Sequence, residues 1–442
     1  MDIQLSNHFT LKKLLHFAVP SIWMMIFTSI YSVVDGFFVS NFVGKSPFAA
    51  VNFIMPFLMI LGAVGSMLGT GGSALVAITL GQGDRERANR LFSLFIYATA
   101  ISGAVLAVLG IVFLRPIAAF LGASGEMLEG CVLYGRWILP VLPAFMLQYE
   151  FQSFFVTAEK PKLGLAVTVG AGFCNIVLDA LLVAVLRLGL PGAAVATAVS
   201  QLAGGAVPVV YFLKGRGGLL RLGKTSWDGR AMRKACSNGS SEFISNISMS
   251  LVSMLYNYQL IRYAGEDGVA AYGVLMYVAM IFLAVFIGFS VGTAPVVGFH
   301  FGAEHRDEVK GLLRMSLKVV GIFSVLMFLA GETLALPLAR LFVGYDASLQ
   351  SLTLRAFRIY SFSFLFVGVP IYGSSFFTAL NDGVTSAAIS FLRTVVFEVA
   401  AVLTFPLVWG IDGVWFSTVA TEVVAALLTV FFWVIKAKKY GY

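Results

Sequence analysis

Four side chains in this 442-residue chain carry the clearest chemical potential: Asp35, Asn175, Asp179 and Thr197. Two carboxyls, a carboxamide and a hydroxyl form a set of hard oxygen donors, suited to a sodium ion or, through the carboxyls, to a proton. Each lies in an apolar stretch, Asp35 in SVVDGFFVSN and the Asn175/Asp179 pair in FCNIVLDALL. An ionisable group at membrane depth costs at least about 2.5 to 3.5 kcal/mol on insertion scales, so these are the places to look for function. Asn175 and Asp179 are four residues apart and project from one helical face. Two acids in a partly dry pocket should titrate as a coupled pair, taking up a proton or being neutralised by sodium, in which case these four residues are the metal ligands. The bland alternative is that Asp35 caps a helix end and Asp179 meets a neighbouring hydroxyl.

Other embedded polar groups form a second tier. Glu398 and Glu422 lie in or near the middle of later apolar runs, where a carboxylate would attract a cationic substrate. Glu242 opens another run and has three roles open to it: function, helix capping, or pairing with nearby Arg and Lys. Glu150 and Glu332 are weaker signals. Tyr256 and Met276, with Met24, Met25, Met55, Met249, Met254 and Tyr277, offer thioether and aromatic faces that suit bulky lipophilic cations, although such residues commonly only pack. His8, His16, His300 and His305 form no catalytic motif, and Cys131, Cys174 and Cys236 form neither a disulfide framework nor a metal site. The run GAVGSMLGTGG lacks the Lys-Ser/Thr ending of a phosphate loop and instead permits close helix approach. No cofactor is expected beyond a coupling ion, H+ or Na+.

Membrane helices must position these residues. A composition 59% hydrophobic and 12% charged, with mean hydropathy +0.90, excludes a soluble multidomain protein. Twelve stretches are long enough to cross about 30 Å at 1.5 Å per residue, near 14–38, 47–75, 91–114, 130–157, 163–186, 192–213, 237–263, 270–298, 313–336, 353–379, 385–407 and 413–435. The reading is an all-α polytopic membrane protein. The first run is too long for a signal-peptide core and is expected to be the first transmembrane helix.

The net charge of +8 follows this alternation. Lys12, Lys13, Arg85, Arg87, Arg90, Lys160, Lys162, Arg306, Lys310, Arg314, Lys436, Lys438 and Lys439 fall on one side, with seven more in the segment KGRGGLLRLGKTSWDGRAMRKA from Lys214 to Ala235. The other side holds fewer, among them Lys45, Arg115, Arg187 and Arg340. The bias places both termini in the cytoplasm of a multi-pass plasma-membrane protein, a bacterial inner membrane being expected, and explains the charge without a nucleic-acid partner.

A shift of 221 positions lays one half of the chain on the other without a gap. Gly44 and Ala49-Ala50 fall on Gly265 and Ala270-Ala271, Gly81 and Arg85 on Gly302 and Arg306, and Pro116 on Pro337. Phe155 and Thr157-Ala158 meet Phe376 and Thr378-Ala379, while Gly189, Gly192 and Thr197 meet Gly410, Gly413 and Thr418. Six spans per half is even, so the repeats are parallel, and transporter sites commonly lie between such repeats. The expected division is 1–213, a linker 214–235, and 236–442. Asp35, Asn175 and Asp179 are replaced in the second copy by Tyr256, Val396 and Ala400, so the acids are not part of the shared scaffold.

Over essentially its whole length the chain resembles the multidrug and toxic compound extrusion (MATE) transporters. The resemblance rests on VVDGFF in the first helix, the glycine-rich second helix running into LGQGDRERANRL, the Asn-x-x-x-Asp pair of the fifth helix, Thr197 beyond it, and the six-plus-six duplication. It implies a V-shaped pair of six-helix lobes that alternates between outward-open and inward-open states, exchanging substrate for protons or sodium. It also implies a first-lobe cation site at Asp35, Asn175, Asp179 and Thr197, makes Glu242 similar to a seventh-helix acid of some members, and looks closest to the DNA-damage-inducible-like bacterial branch. The seventh helix opens GSSEF without the proline many relatives carry, and second-lobe acids of the sodium-coupled branch have no clear counterpart.

The expectation is a non-enzymatic antiporter, acting as a monomer in the bilayer, that exports amphipathic, cationic small molecules. A major facilitator transporter would need a Gly-Arg-Arg ending absent from the loop after the second helix. A lipid-linked oligosaccharide flippase of the same superfamily would need several cavity arginines, where the long spans carry chiefly Arg393. A membrane-embedded enzyme would need a nucleophile, metal or acid-base cluster.

Overall fold

The computed structural model describes residues 3–43, 45–215, 218–344 and 346–442. Gly44, which the repeat pairs with Gly265, and Arg216 and Gly217 of the linker lie outside the described residues, as does the side chain of Lys45.

Among the described residues, eleven helices are long and apolar enough to cross a membrane: α1 Leu11–Gly36, α2 Ala49–Gly81, α3 Arg85–Phe120, α4 Gly125–Thr157, α5 Pro161–Val185, α6 Gly189–Leu213, α7 Gly229–Gly302, α8 Arg306–Val343, α9 Ala347–Ala379, α10 Gly383–Trp409 and α11 Ile411–Tyr440. Twelve crossings were expected, and the difference lies in α7. Its 74 residues are uninterrupted except at Gly265, whose φ of 62° and ψ of −148° are not helical. Ala235, near its start, and Phe299, near its end, both pack on the same end of α2, against Gly71 and Gly81. The chain therefore reverses at Gly265, and α7 holds two spans. The helix begins at Gly229 rather than near 237, because Asp228 accepts hydrogen bonds from the backbone N–H groups of Arg230 and Ala231 at 3.0 Å.

The sequence repeat has a conformational cause at the Gly189/Gly410 pair. Both open the last span of their half with φ near +60°, at 64° and 58°, a left-handed conformation that a Cβ disfavours.

The halves meet along a seam of small residues, as expected where lipid removes the hydrophobic drive and close backbone approach supplies the packing. A Cβ built on Gly81 would lie 2.0 Å from the Phe299 carbonyl oxygen, and one on Gly302 would lie 2.1 Å from that of Ile78. Under the 221-residue shift Gly81 and Ile78 become Gly302 and Phe299, so this is one contact made twice across a pseudo-twofold axis. Further along, Gly71 and Gly239 pack on Ala235 and Met67; Gly292, the counterpart of Gly71, packs on Ala18, the counterpart of Gly239, and Gly288, the counterpart of Met67, packs on Ser21 and Ile22 of α1.

All these contacts lie towards the end of the bundle that carries both chain ends. A strap formed by residues 3–10 crosses that end: the Leu5 N–H donates to Glu159 Oε1 at 2.6 Å, His8 pairs with Glu308, and Phe9 packs edge-on against His300. Leu5 and Phe9 are fully buried. The linker is also held. Along α3, Arg85 and Asn89 bind the backbone of Leu219 and Arg221, and Ser93 and Tyr97 bind that of Gly223, a four-residue spacing that presents one helical face.

Candidate functional site

Asp35 on α1, Asn175 and Asp179 on α5, and Thr197 on α6 converge inside the first half. Asp35 has Asp179, Thr197 and Asn175 as its polar side-chain neighbours, with Thr197 Oγ1 3.5 Å from Asp35 Oδ1. Asn175 and Asp179 are buried, and neither Asp179 oxygen meets hydrogen-bond geometry with another group, although the Asp35 carboxyl is close enough to act on it electrostatically. The α-helical run continues three residues past Asp35 to Phe38, and it is the Asp35 backbone carbonyl that accepts the N–H of the C-cap residue Val39. Among the described residues, no Lys or Arg is among the groups acting on either carboxyl. The pocket's charge balance must therefore come from outside the protein, as a proton or a bound cation, because an unpaired buried carboxylate is costly. Among the described residues no group of three or more His, Cys, Asp or Glu is arranged to hold a metal ion, so a metal here would rely on the amide, hydroxyl and backbone oxygens as well.

The local backbone explains how these side chains are aimed. The α-helical geometry gives way to π-helix at Val39–Val43, just past Asp35, and at Asp179–Val185. A third π segment, Leu392–Phe397, ends immediately before Glu398. Such segments insert an extra residue into a turn and redirect the side chains around it, and they concentrate at functional sites.

Sequence reasoning missed one partner from α4 and underweighted a second buried group on that helix. The Tyr134 hydroxyl faces Thr197 and both carboxyls and is itself buried. Glu150, given little weight from sequence, is completely buried with neither oxygen hydrogen-bonded and Thr99 beside it. The signal for Glu150 was available, as an unbalanced acid in an apolar helix; nothing in the spacing marks Tyr134.

The second half holds a counterpart. Tyr256 occupies the position of Asp35 and Thr418 that of Thr197, and their hydroxyls are 2.7 Å apart. Glu398 accepts from the Tyr256 hydroxyl and, at 3.1 Å, from Thr418. Tyr272 stacks on Tyr256 with ring centroids 5.2 Å apart. Glu422 is held by Arg393, whose Nε donates to both carboxylate oxygens at 3.0 Å and whose Nη2 donates at 2.7 Å. That pair is internally neutral, so Glu422 offers no free charge to a cationic ligand. Met276 is half-buried against the apolar core of this half, whereas Met249 and Met254 are exposed.

Glu242 does not cap its helix, whose first turn lies 13 residues earlier under Asp228, and it forms no ion pair with the linker among the described residues. It lines a small cavity on the seam, about 50 Å³, with Thr70, Ser73, Ser153, Ser290 and Thr378 around it. That volume suits one or two waters.

With this geometry established, likeness to known proteins can be stated. The MatE family matches residues 20–181 and again 243–404, once in each half. The chain belongs to the MatE family. It is 24% identical over 425 residues to the multidrug export protein MepA of Staphylococcus haemolyticus, covering 95% of this chain and 92% of that one. To MepA of Staphylococcus aureus it is 22% identical, covering 94% and 92%. A multidrug resistance MATE family transporter of the MOP superfamily, solved in an outward-facing conformation, superposes with a TM-score of 0.92 at 22% identity, covering 98% of this chain and 96% of that one. A MOP superfamily transporter from Pyrococcus furiosus, described as having a binding pocket of reverse polarity that suggests a different function, superposes at 0.90 with 22% identity and 98% and 97% coverage. At these identities the structural likeness fixes the fold: a multi-pass, all-helical MATE transporter architecture of paired repeats.

Proposed function

We propose that this MATE protein is a secondary antiporter that exports amphipathic, cationic small molecules in exchange for protons or sodium by alternating access. The observation that carries the reading is the Asp35/Asp179 pocket: two carboxyls face each other in the first repeat, with no cationic side chain beside them among the described residues. A pocket that must borrow its positive charge is a natural coupling-ion site. The MepA relatives are named as multidrug exporters, which supports the substrate class.

The charge bias puts the chain ends in the cytoplasm. On that orientation the Gly81/Gly302 seam and the strap close the cytoplasmic side, which supports reading this conformation as outward-facing. An ion arriving from outside would occupy the pocket in this state and favour the conformation that binds drug poorly. Ion and drug must prefer different states, since a ligand with equal affinity for both shifts nothing. Each elementary charge moved through 100 mV is worth about 2.3 kcal/mol, so a monovalent drug exchanged for one monovalent ion gains nothing from the voltage, and the concentration gradient or a second ion supplies the drive. A flippase for anionic lipid-linked sugars is disfavoured, because Arg393 is already neutralised by Glu422.

The deciding experiment is uptake of a fluorescent lipophilic cation into inside-out proteoliposomes under a proton or a sodium gradient. Wild type should respond to one gradient, and Asp35→Asn, purified at wild-type yield, should lose that response. Equal movement without any gradient and in the variant would sink the exchange reading.

A further inference from the structure

A cavity of about 340 Å³ opens in the first half at the end that carries both termini. His16, Phe17 and Pro20 of α1 form one wall; Lys160, Lys162 and Leu163, at the turn from α4 into α5, form the other. Tyr211 lies at the end of α6, and Ile3 and Glu159 bring in the strap. The chemistry is layered. Lys162 and His16 are exposed and Lys160 is half-buried, whereas Phe17 and Pro20 are buried. Pro20 lies about 13 Å along the helix from Leu11 at 1.5 Å per residue, which carries the floor past a headgroup layer several ångströms thick to the edge of the hydrocarbon. The Glu159 carboxylate accepts the Leu5 N–H and is engaged in holding the strap. That N–H is neutral and leaves the carboxylate charged, but with Lys160 and Lys162 against this one acid the rim keeps a net positive charge above an apolar floor.

The repeat provides an internal control. The counterparts of His16, Lys160 and Lys162 are Ser237, Asn381 and Gly383. In the second half this space is closed: a Cβ on Gly383 would lie 2.4 Å from the Ser237 carbonyl oxygen, and Asn238 donates to Asn381 at 2.5 Å. A cavity demanded by the scaffold would recur in both copies, and this one does not.

We propose that the pocket binds the headgroup and upper acyl chain of one anionic phospholipid, its phosphate between Lys160 and Lys162 and its chain over Phe17, Pro20 and Leu163. The strap forms part of the wall and is pinned at its far end to Glu308 of α8, so an occupied pocket braces the segment that ties the two halves together.

The test is native mass spectrometry of delipidated protein in zwitterionic micelles, titrated with phosphatidylglycerol or phosphatidylcholine. One phosphatidylglycerol should be retained in preference to phosphatidylcholine. Lys160→Ala/Lys162→Ala should weaken retention roughly 30-fold, the effect of two lysines near an anionic surface. Leu163→Trp, which fills the cavity without changing charge, should weaken it too. Lys438→Ala/Lys439→Ala, which removes the same charge from exposed positions on the last helix, should leave it intact. The proposal is overturned if this control pair weakens binding as much as the pocket pair, if phosphatidylcholine binds equally well, or if millimolar inorganic phosphate displaces the lipid, which would make this a site for a soluble anion.

Discussion

The seam offers the sharpest test of how this transporter changes state, and Gly81→Ala is the perturbation. A Cβ at Gly81 would sit 2.0 Å from the Phe299 carbonyl oxygen and 2.8 Å from the Ala303 nitrogen. Tolerable Cβ contacts begin near 3.0 Å, so the helices must separate by about an ångström. Both opposing atoms are backbone, and no rotamer change can relieve the clash. Overpacking of this kind costs about 1 to 3 kcal/mol. Under alternating access the cost falls only on the state in which the seam is closed, because the contact does not exist once the ends part. The equilibrium should therefore move towards the seam-open state by roughly 5- to 150-fold.

A cysteine at Ser73, buried on the seam cavity, reports the change in a background with Cys131, Cys174 and Cys236 replaced. Reaction with an impermeant maleimide applied from the side of the termini should be slow in the parent and accelerate in Gly81→Ala. Symmetry makes a further demand: Gly302→Ala breaks the same contact from the other half and should accelerate labelling by a similar factor. Unchanged labelling in both variants, at parental yield, would show that this contact does not set the closed state. A response in only one would refute the pseudo-twofold reading.

Arg393→Ala should cost about 3 kcal/mol or more of stability by stranding Glu422, and the double replacement Arg393→Met/Glu422→Leu should recover most of it in a thermal unfolding assay. Glu150→Met, which removes both unpartnered oxygens at similar side-chain length, should raise the midpoint of the same assay by the equivalent of about 1 to 2 kcal/mol. At Asp382, in the turn before α10, burial alone would raise the pKa, but hydrogen bonds from Lys436 at 2.9 Å, Tyr440 at 2.7 Å and Thr385 hold it below the usual carboxylate range. A depressed folded value makes the stabilisation complete above the unfolded pKa of about 3.9 and lost as pH falls through the folded value. Asp382→Asn should thus cost about 1 to 3 kcal/mol at pH 7, and its gap to wild type should close below about pH 4.

Much of this architecture is legible in the sequence because a bilayer leaves few choices. Span length and loop charge are read directly, and the 221-residue offset survives because Gly189 and Gly410 share a left-handed turn and Gly81 and Gly302 share a backbone contact. The Asn175/Asp179 spacing puts both groups on one helical face, and the folded chain brings that face to Asp35. What escaped was set by partners distant in sequence. Capping stayed open for Glu242 because hydropathy starts its helix near 237, whereas Asp228 starts it at Gly229. Tyr134 comes to the pocket from α4 with no periodic signal. The strap carries no sequence signal because its buried anchors, Leu5 and Phe9, are isolated in a segment too short to show a helical or strand period.

The two kinds of residue separate by whether the repeat preserves them. Contacts made twice, at Gly81/Gly302, hold the halves against each other, and symmetry is what such a joint requires if both sides are to part together. Residues that differ between copies sit within the halves: Asp35 faces Asp179 where Tyr256 faces Glu398, and the Lys160/Lys162 cavity is filled where Asn381 and Gly383 replace the lysines. In the second half the carboxylates have protein partners, Arg393 for Glu422 and two hydroxyls for Glu398. In the first half they have only each other and neutral groups. An exogenous cation thus has a stronger electrostatic reason to enter the first half than the second. On the proposed exchange cycle, coupling needs only one half to change charge while the shared seam transmits the result to both.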